Sequence, residues 1–197
     1  MARTPSTMRL SPGETAPAFD LPNHSKAVDA DRLNLDAVAG ERGTLVMFIC
    51  NHCPFVKHIA DELARLGHYA QSHGIGVVAI MPNDVHNYPD DAPAKMTEEA
   101  LERGYTFAYL HDTDQSVAKA YAAACTPDFF LFDAQRGLYY RGQLDDSRPD
   151  NGVPVTGDDL RGAIAALLGG APAPEPQRPS IGCNIKWVAG NEPDYYG

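Results

Sequence analysis

Five consecutive residues, Cys50-Asn51-His52-Cys53-Pro54, set two thiols two residues apart around an imidazole and directly before a proline. The thiolate is the species that attacks a disulfide or binds a soft metal, and two thiols this close can be oxidised and reduced as a unit. The same residue types also suit a metal: Cys50 and Cys53 with a histidine such as His58 or His111 offer donors for Cu(I) or Zn. His52, as an imidazolium, can stabilise a thiolate or supply a proton; as a solvated side chain it exerts only a weak field. Cys125 and Cys183 stand apart in sequence. Four cysteines in 197 residues are too few for a disulfide scaffold, so the paired spacing reads as redox or metal chemistry. The expected compartment is the cytoplasm.

The elements around the pair follow from periodicity. Thr44 to Ile49 is an apolar run without alternation, which predicts a strand buried on both faces. From Pro54 onward Val56, Ile59, Ala60, Leu63, Leu66 and Ala70 recur at steps of three and four until Gly74, which predicts a helix. Cys53 then sits at the mouth of that helix, where unpaired N–H groups and the positive dipole end stabilise a thiolate, while Cys50 ends the strand. Gly76 to Met81 predicts a second buried strand, so the unit is a right-handed crossover and the sheet is partly parallel.

Further along, residues 95–103 predict a helix and 106–110 a strand, and Asp114 can cap a helix running from Val117 to Ala124. Phe129 to Phe132, the turn Gln135-Arg136-Gly137 and Leu138 to Gly142 form a hairpin pattern. Phe55 and Phe129 read as core and His58 as a solvated helix residue. Residues 10–22, with three prolines, predict an extended arm over a sheet edge, and residues 33–39 a short helix. Residues 145–154 read as an exposed linker before an amphipathic helix at 158–168. The Pro-rich stretch 171–179 reads as a spacer, followed by a tail carrying Ile181, Cys183, Ile185 and Trp187.

Composition narrows the partners. A formal net charge of -10 with no Lys/Arg cluster leaves nothing to neutralise phosphates or anionic lipid, so neither nucleic acid nor membrane is expected. No stretch reaches the ~18 apolar residues of a membrane span, and no apolar run follows Arg3 and Arg9.

Four segments occur in order: Pro12-Gly13 with Ala16-Pro17, Phe19 and Leu21; the strand into Cys50-Asn51-His52-Cys53-Pro54; His111-Asp112 and Asp114 through Ala118 and Tyr121; and Thr126-Pro127 before Phe129-Phe130-Leu131-Phe132-Asp133. This set, spanning residues 10–170, resembles the thioredoxin superfamily and within it the peroxiredoxin-like AhpC/TSA (redoxin) proteins with a Cys-Asn-His-Cys-Pro site and a tail cysteine. The resemblance implies an α/β, thioredoxin-like fold, a central mixed sheet flanked by helices with an N-terminal extension and a C-terminal tail. It divides the chain into a domain at 1–170 and a Pro-rich spacer with a docked tail at 171–197. It implies a thiol-disulfide oxidoreductase using Cys50 and Cys53 on a protein or small-molecule disulfide, with no cofactor and no metal. A thiol peroxidase with Cys53 as the peroxidatic cysteine and Cys50 or Cys183 resolving is the alternative, and a Cu(I)- or Zn-binding delivery module the third. Copper-delivery relatives, however, space their cysteines by three residues and are membrane-tethered.

By the same resemblance Thr126 and Pro127 form the other half of the site, a cis X-Pro turn offering the Thr126 backbone to a substrate strand. Two departures stand out. Ile49 precedes Cys50 where thioredoxins carry Trp, and residues 44–49 lack the usual buried carboxylate. Counting back from Cys53, Cys50 and Val46 stand where peroxiredoxins carry Thr/Ser and Pro, so the peroxide-activating hydroxyl is missing. Thioredoxin logic makes Cys50 the attacking thiol and the peroxiredoxin pattern makes it Cys53. At ~3 Å per residue the spacer can carry Cys183 towards Cys125, so these two are expected as neighbours or a second thiol pair, with the tail as a cover. An unbridged Cys125 with a tail cysteine that meets no thiol is the other arrangement. Nothing in the sequence specifies the electron donor.

Overall fold

The apolar run after Arg42 becomes the middle of a sheet because both of its faces are covered. In the computed structural model, which describes residues 3–196, it forms β4 (Gly43–Phe48), buried at every position. Leu45, Met47 and Ile49 point into one apolar layer and Val46 and Phe48 into the other. Alternation is absent from the sequence because neither face meets water.

On one side of β4 lies β5 (Ile75–Met81), tied to it by the Ile49 N–H donating to Ile80 C=O at 3.1 Å, with β6 (Ala108–His111) parallel to β5 beyond. On the other side β8 (Asp128–Asp133) and β9 (Leu138–Gly142) follow antiparallel, as the hairpin pattern predicts. The central sheet is thus mixed, in the order β6-β5-β4-β8-β9.

The first layer is closed by α2 (Pro54–Ser72), α3 (Pro93–Arg103) and α5 (Asp158–Leu168), with Leu63, Leu66, Met96, Leu160 and Ile164 all fully buried. Each such side chain contributes ~1.5–3 kcal/mol by leaving water. Pro54 occupies the first turn of α2, where its missing N–H costs nothing, and Gly104 ends α3 in the left-handed region at φ 68°.

The opposite layer packs α4 (Ser116–Ala120) with the N-terminal arm, including Phe19, Leu21 and Leu33, and with Ile185 and Trp187 from the tail. The arm contributes β2 (Asp20–Pro22) and β3 (Arg32–Asn34), paired antiparallel before the short α1 (Leu35–Val38).

Two local expectations are corrected. Helix α4 stops at Ala120 rather than Ala124, because Ala122 turns into the left-handed region at φ 49°. Its first amides are taken mainly by Asp112, whose carboxylate accepts Val117 N–H at 3.3 Å and Ala118 N–H at 2.7 Å, with Asp114 accepting Ser116 N–H. Residues 145–154 are not simply exposed. Asp145 is buried and accepts N–H bonds from Ser147, Thr156 and Gly157, which folds the linker back on itself.

Segments outside the helices line both borders of the sheet. Residues 177–178 run along the outer border of β9, where Gln177 accepts from Arg141 N–H at 2.8 Å and donates to Tyr139 C=O at 3.0 Å. Along β6, His24 N–H donates to Tyr109 C=O at 2.9 Å. The tail strand β10 (Ile181–Asn184) lies between β1 (Thr4–Pro5) and β7 (Cys125–Thr126), antiparallel to each. No helix among the described residues is long and apolar enough to cross a membrane.

Ile185, fully buried beneath this strand, tests whether the tail belongs to the core. Ile185→Ala should cost about 2–5 kcal/mol, read as a lowered urea midpoint at unchanged slope, whereas a loss under ~1 kcal/mol would make the tail a mere appendage.

Candidate active site

The strand-to-helix junction places both thiols of the pair under cover. Cys53 is the N-cap residue of α2 and its C=O accepts the Lys57 N–H at 2.9 Å. Cys50 lies two residues past β4, and both side chains are fully buried. Across from them the chain turns at a cis Thr126-Pro127 bond. The Cys53 thiol donates to Thr126 C=O at 3.2 Å, and Cys50 Sγ is hydrogen-bonded to Thr126 Oγ1 at 3.2 Å. Cys50, Cys53, Thr126 and Pro127, distant in sequence, therefore meet at one point.

The thiols are electrostatically unequal. Hydrogen bonds from the thiols of Cys183 and Cys50, joined by the Val56 N–H of the helix mouth, hold Cys53 well below the ordinary thiol value against the opposing effect of burial. Ionisation turns the contact with Thr126 C=O unfavourable, but the two thiols and the backbone N–H groups of Val56 and Cys183 outweigh that one carbonyl. Cys50 is pushed well above the ordinary value by burial, then by its bond to Cys53 and by the negative charges of Asp91 and Cys53. Cys183 is raised by its own bond to Cys53 and by burial. One thiolate is shared by two thiols that keep their protons.

The carboxylate that β4 lacks comes from elsewhere. Asp91, at the end of the 3-10 turn Pro89–Asp91, is completely buried. It accepts the backbone N–H of Asn51 at 2.8 Å and of His52 at 3.2 Å, and the Asn83 side-chain amide at 2.8 Å. Its fourth partner is His52 Nδ1 at 2.6 Å. Burial works to raise its pKa, yet the bonds from His52 and Asn83 and the attraction of His52 outweigh this and leave it below the usual carboxylate value. An ionised Asp91 puts the proton of the His52 ring on Nδ1. The ring also stacks on Tyr88, centroids 5.3 Å apart, so His52 is positioned rather than freely solvated. Asn51 is held in turn by the Tyr109 hydroxyl at 2.9 Å.

Asp91, Asn83, Tyr88 and Tyr109 are absent from the sequence-derived site. The available signal was topological: the loop after β5 opens at the same carboxyl edge of the sheet as the loop after β4, where α/β sheets gather their functional groups.

The tail changes two expectations. The Thr126 backbone, expected to be open to a substrate strand, is already engaged by β10, with Cys183 opposite Thr126 and Asn184 opposite Cys125. Cys125 and Cys183 do lie next to each other across the β10–β7 pair, but they do not form a thiol pair. Directly opposed residues share a face, so Cys183 follows Thr126 towards the site and meets Cys53, while Cys125 points the other way. There the Cys125 thiol donates to Pro127 C=O at 3.6 Å, near Asp128 and Arg141.

For a metal, Cys50 Sγ, a His52 ring nitrogen and an Asp91 oxygen lie within 4.8 Å of one another, the one such cluster among the described residues. The set expected from the sequence is not assembled. His58 is half-buried and bonded to Ser147 Oγ at 2.7 Å, and His111 packs near His24. Phe55 and Phe129 are buried in the core layer.

A family model described as the AhpC/TSA family matches residues 12–141. The chain belongs to the AhpC/TSA family. Among solved structures, an uncharacterized conserved protein from Geobacillus kaustophilus is 52% identical, with a TM-score of 0.90 over 95% of this chain and 97% of that one. The Mycobacterium tuberculosis protein named "Putative peroxiredoxin Rv2521" is 31% identical over 118 residues, 59% of this chain and 67% of the other. The thioredoxin domain of a thiol-disulfide oxidoreductase from Bacteroides vulgatus shares the fold alone, at 17% identity and a TM-score of 0.59 over 81% of this chain and 99% of that domain. The AhpC/TSA match and the mycobacterial relative support an oxidoreductase kind, and the structural neighbours show a thioredoxin-like fold.

Two measurements check the geometry. Thiolate alkylation followed by peptide mass spectrometry should show Cys53 reacting with little loss of rate as pH falls from 8 to 6, below the free-thiol value of ~8.5, and Cys50 only at higher pH. Coincident profiles for the two would contradict the inequality. Asp91→Asn should lower stability at neutral pH by ~1–3 kcal/mol, since buried donors lose a charged acceptor. Because the folded pKa of Asp91 is depressed, its contribution is present above the unfolded value of ~3.9 and is lost as pH falls through the folded value. The variant should lack that acid limb in a stability-pH titration.

Proposed function

We propose that this protein is a thiol-disulfide oxidoreductase acting on protein or small-molecule disulfides through Cys53 and Cys50. The observation that carries the reading is the meeting of Cys50 and Cys53, at the mouth of α2, with the cis Thr126-Pro127 turn, each sulfur hydrogen-bonded to Thr126. The Cys53 thiolate attacks one sulfur of the substrate disulfide and the other sulfur leaves as a thiolate. Cys50 then attacks Cys53 Sγ, the second substrate sulfur departs, and a Cys50–Cys53 disulfide remains. Cys50 must lose its proton for that step, and the His52-Asp91 pair beside it is the acceptor. Asp91 thereby does from the loop after β5 what a carboxylate in the preceding strand would do. Such a pair is kept as thiols in a reducing compartment, which supports the cytoplasm.

The test is reduction of a model disulfide by the reduced protein, with mass spectrometry of the product. Cys53→Ser should fall to background, and Cys50→Ser should lose sustained turnover. Asp91→Ala should lose ~10²-fold, with the pH optimum displaced. Wild-type activity in both cysteine variants would end the proposal.

A second reading, a thiol peroxidase with Cys53 as peroxidatic cysteine, is favoured by the name of the mycobacterial relative and by the Cys50 thiol facing Cys53 where the family pattern has a hydroxyl. Stopped-flow consumption of hydrogen peroxide no faster than by free cysteine would remove it.

A further inference from the structure

A strand that pairs with the backbone beside a cis-proline turn occupies the position in which a bound polypeptide would lie. In this protein that position is taken by the chain's own β10, and the residue it sets opposite Thr126 is a cysteine. The seat is tight: a Cβ on Gly182 would lie 2.1 Å from Thr126 O, so only a glycine lets the two backbones come this close. Cys183 joins the same buried cluster as Cys50 and Cys53 and is the least covered of the three, at 7% exposure against 0% for each of the others. Cys53 thus has two thiols bonded to it, Cys50 from the loop after β4 and Cys183 from β10.

We propose that Cys183 is a resolving thiol for Cys53, and that the oxidised protein passes through a Cys53–Cys183 disulfide that fastens β10 over the site. This rests on the redox reading of Cys53 and adds a third thiol to it. A substrate sulfur reaching Cys53 must displace β10 locally, so the mixed disulfide lies on the side to which Cys183 returns when the strand closes. The balance is that of two exchanges. Cys53–S⁻ attacks R–S–S–R′, giving Cys53–S–S–R and R′–S⁻. The Cys183 sulfur, its proton passing to R′–S⁻, attacks Cys53 Sγ, giving Cys53–S–S–Cys183 and R–S⁻. Two thiols of the protein are oxidised and the substrate disulfide is reduced to two thiols. Attack by Cys50 on Cys53 then moves the bond inward to Cys50–Cys53 and releases Cys183.

The experiment uses full-length protein and one equivalent of an aryl disulfide that releases coloured nitrothiobenzoate. In Cys50→Ser/Cys125→Ala, two thiolates should appear per protein and peptide mass spectrometry should find the Cys53–Cys183 link. Adding Cys183→Ser should reduce the yield to one and leave the mixed disulfide on Cys53. Gly182→Val, which keeps every thiol but unseats the strand, should lower the rate of the second release relative to the first. A single release from Cys50→Ser/Cys125→Ala, with a stable mixed disulfide while wild type releases two, overturns the role of Cys183 and leaves the Cys50–Cys53 reading intact. A Cys53 that forms no adduct in any variant would instead end the redox reading, and this inference with it.

Discussion

The antiparallel seat of residues 181–184 on the two-residue strand 125–126 is the contact on which the site depends. It occupies the backbone beside Pro127, brings a thiol donor to Cys53 and helps to keep Cys50 and Cys53 dry. Ile185 and Trp187, anchored in the layer behind the sheet, hold this short strand in register. Two paired residues would otherwise be far too few to stay put. The core thus stabilises a contact whose consequence is chemical.

Charge is arranged around that contact with economy. Deep burial of three thiols would ordinarily raise the pKa of all of them, yet a cluster of donors can stabilise one negative charge if its neighbours stay protonated. Cys53 receives the donors and Cys50 and Cys183 supply them. Asp91 carries the second buried charge, satisfied by four hydrogen bonds, three of them from residues that shape the redox loop or its imidazole. Both charges act on Cys50, which is one reason that its proton is held so firmly.

Much of this was legible in the sequence because it rests on strong periodic signals. The unbroken apolar run of β4, the three-and-four spacing of α2 and the glycines that stop the helices place Cys50 and Cys53 correctly at a strand-to-helix junction, and the hairpin after Thr126-Pro127 is equally plain. Asp91 was not legible: it is one of 26 acidic residues, in an aperiodic loop, and its burial follows only from how that loop folds over residues 50–53. The partner of Cys183 was missed for a different reason. In a strand pair, a shift of one residue exchanges the faces, and two residues give no pattern from which to read the register. Asp145 shows the same limit, since a polar linker becomes buried once a carboxylate finds three amides.

The segments lying along β6 and β9 carry one more consequence. Hydrogen-bonding groups on both rims of the five-stranded sheet are already taken, by residues 23–24 on one side and by residues 13–14 and 177–178 on the other. A bare rim is a template on which another chain can add a strand. Here that template is largely blocked, so self-association by growth of this five-stranded sheet is disfavoured.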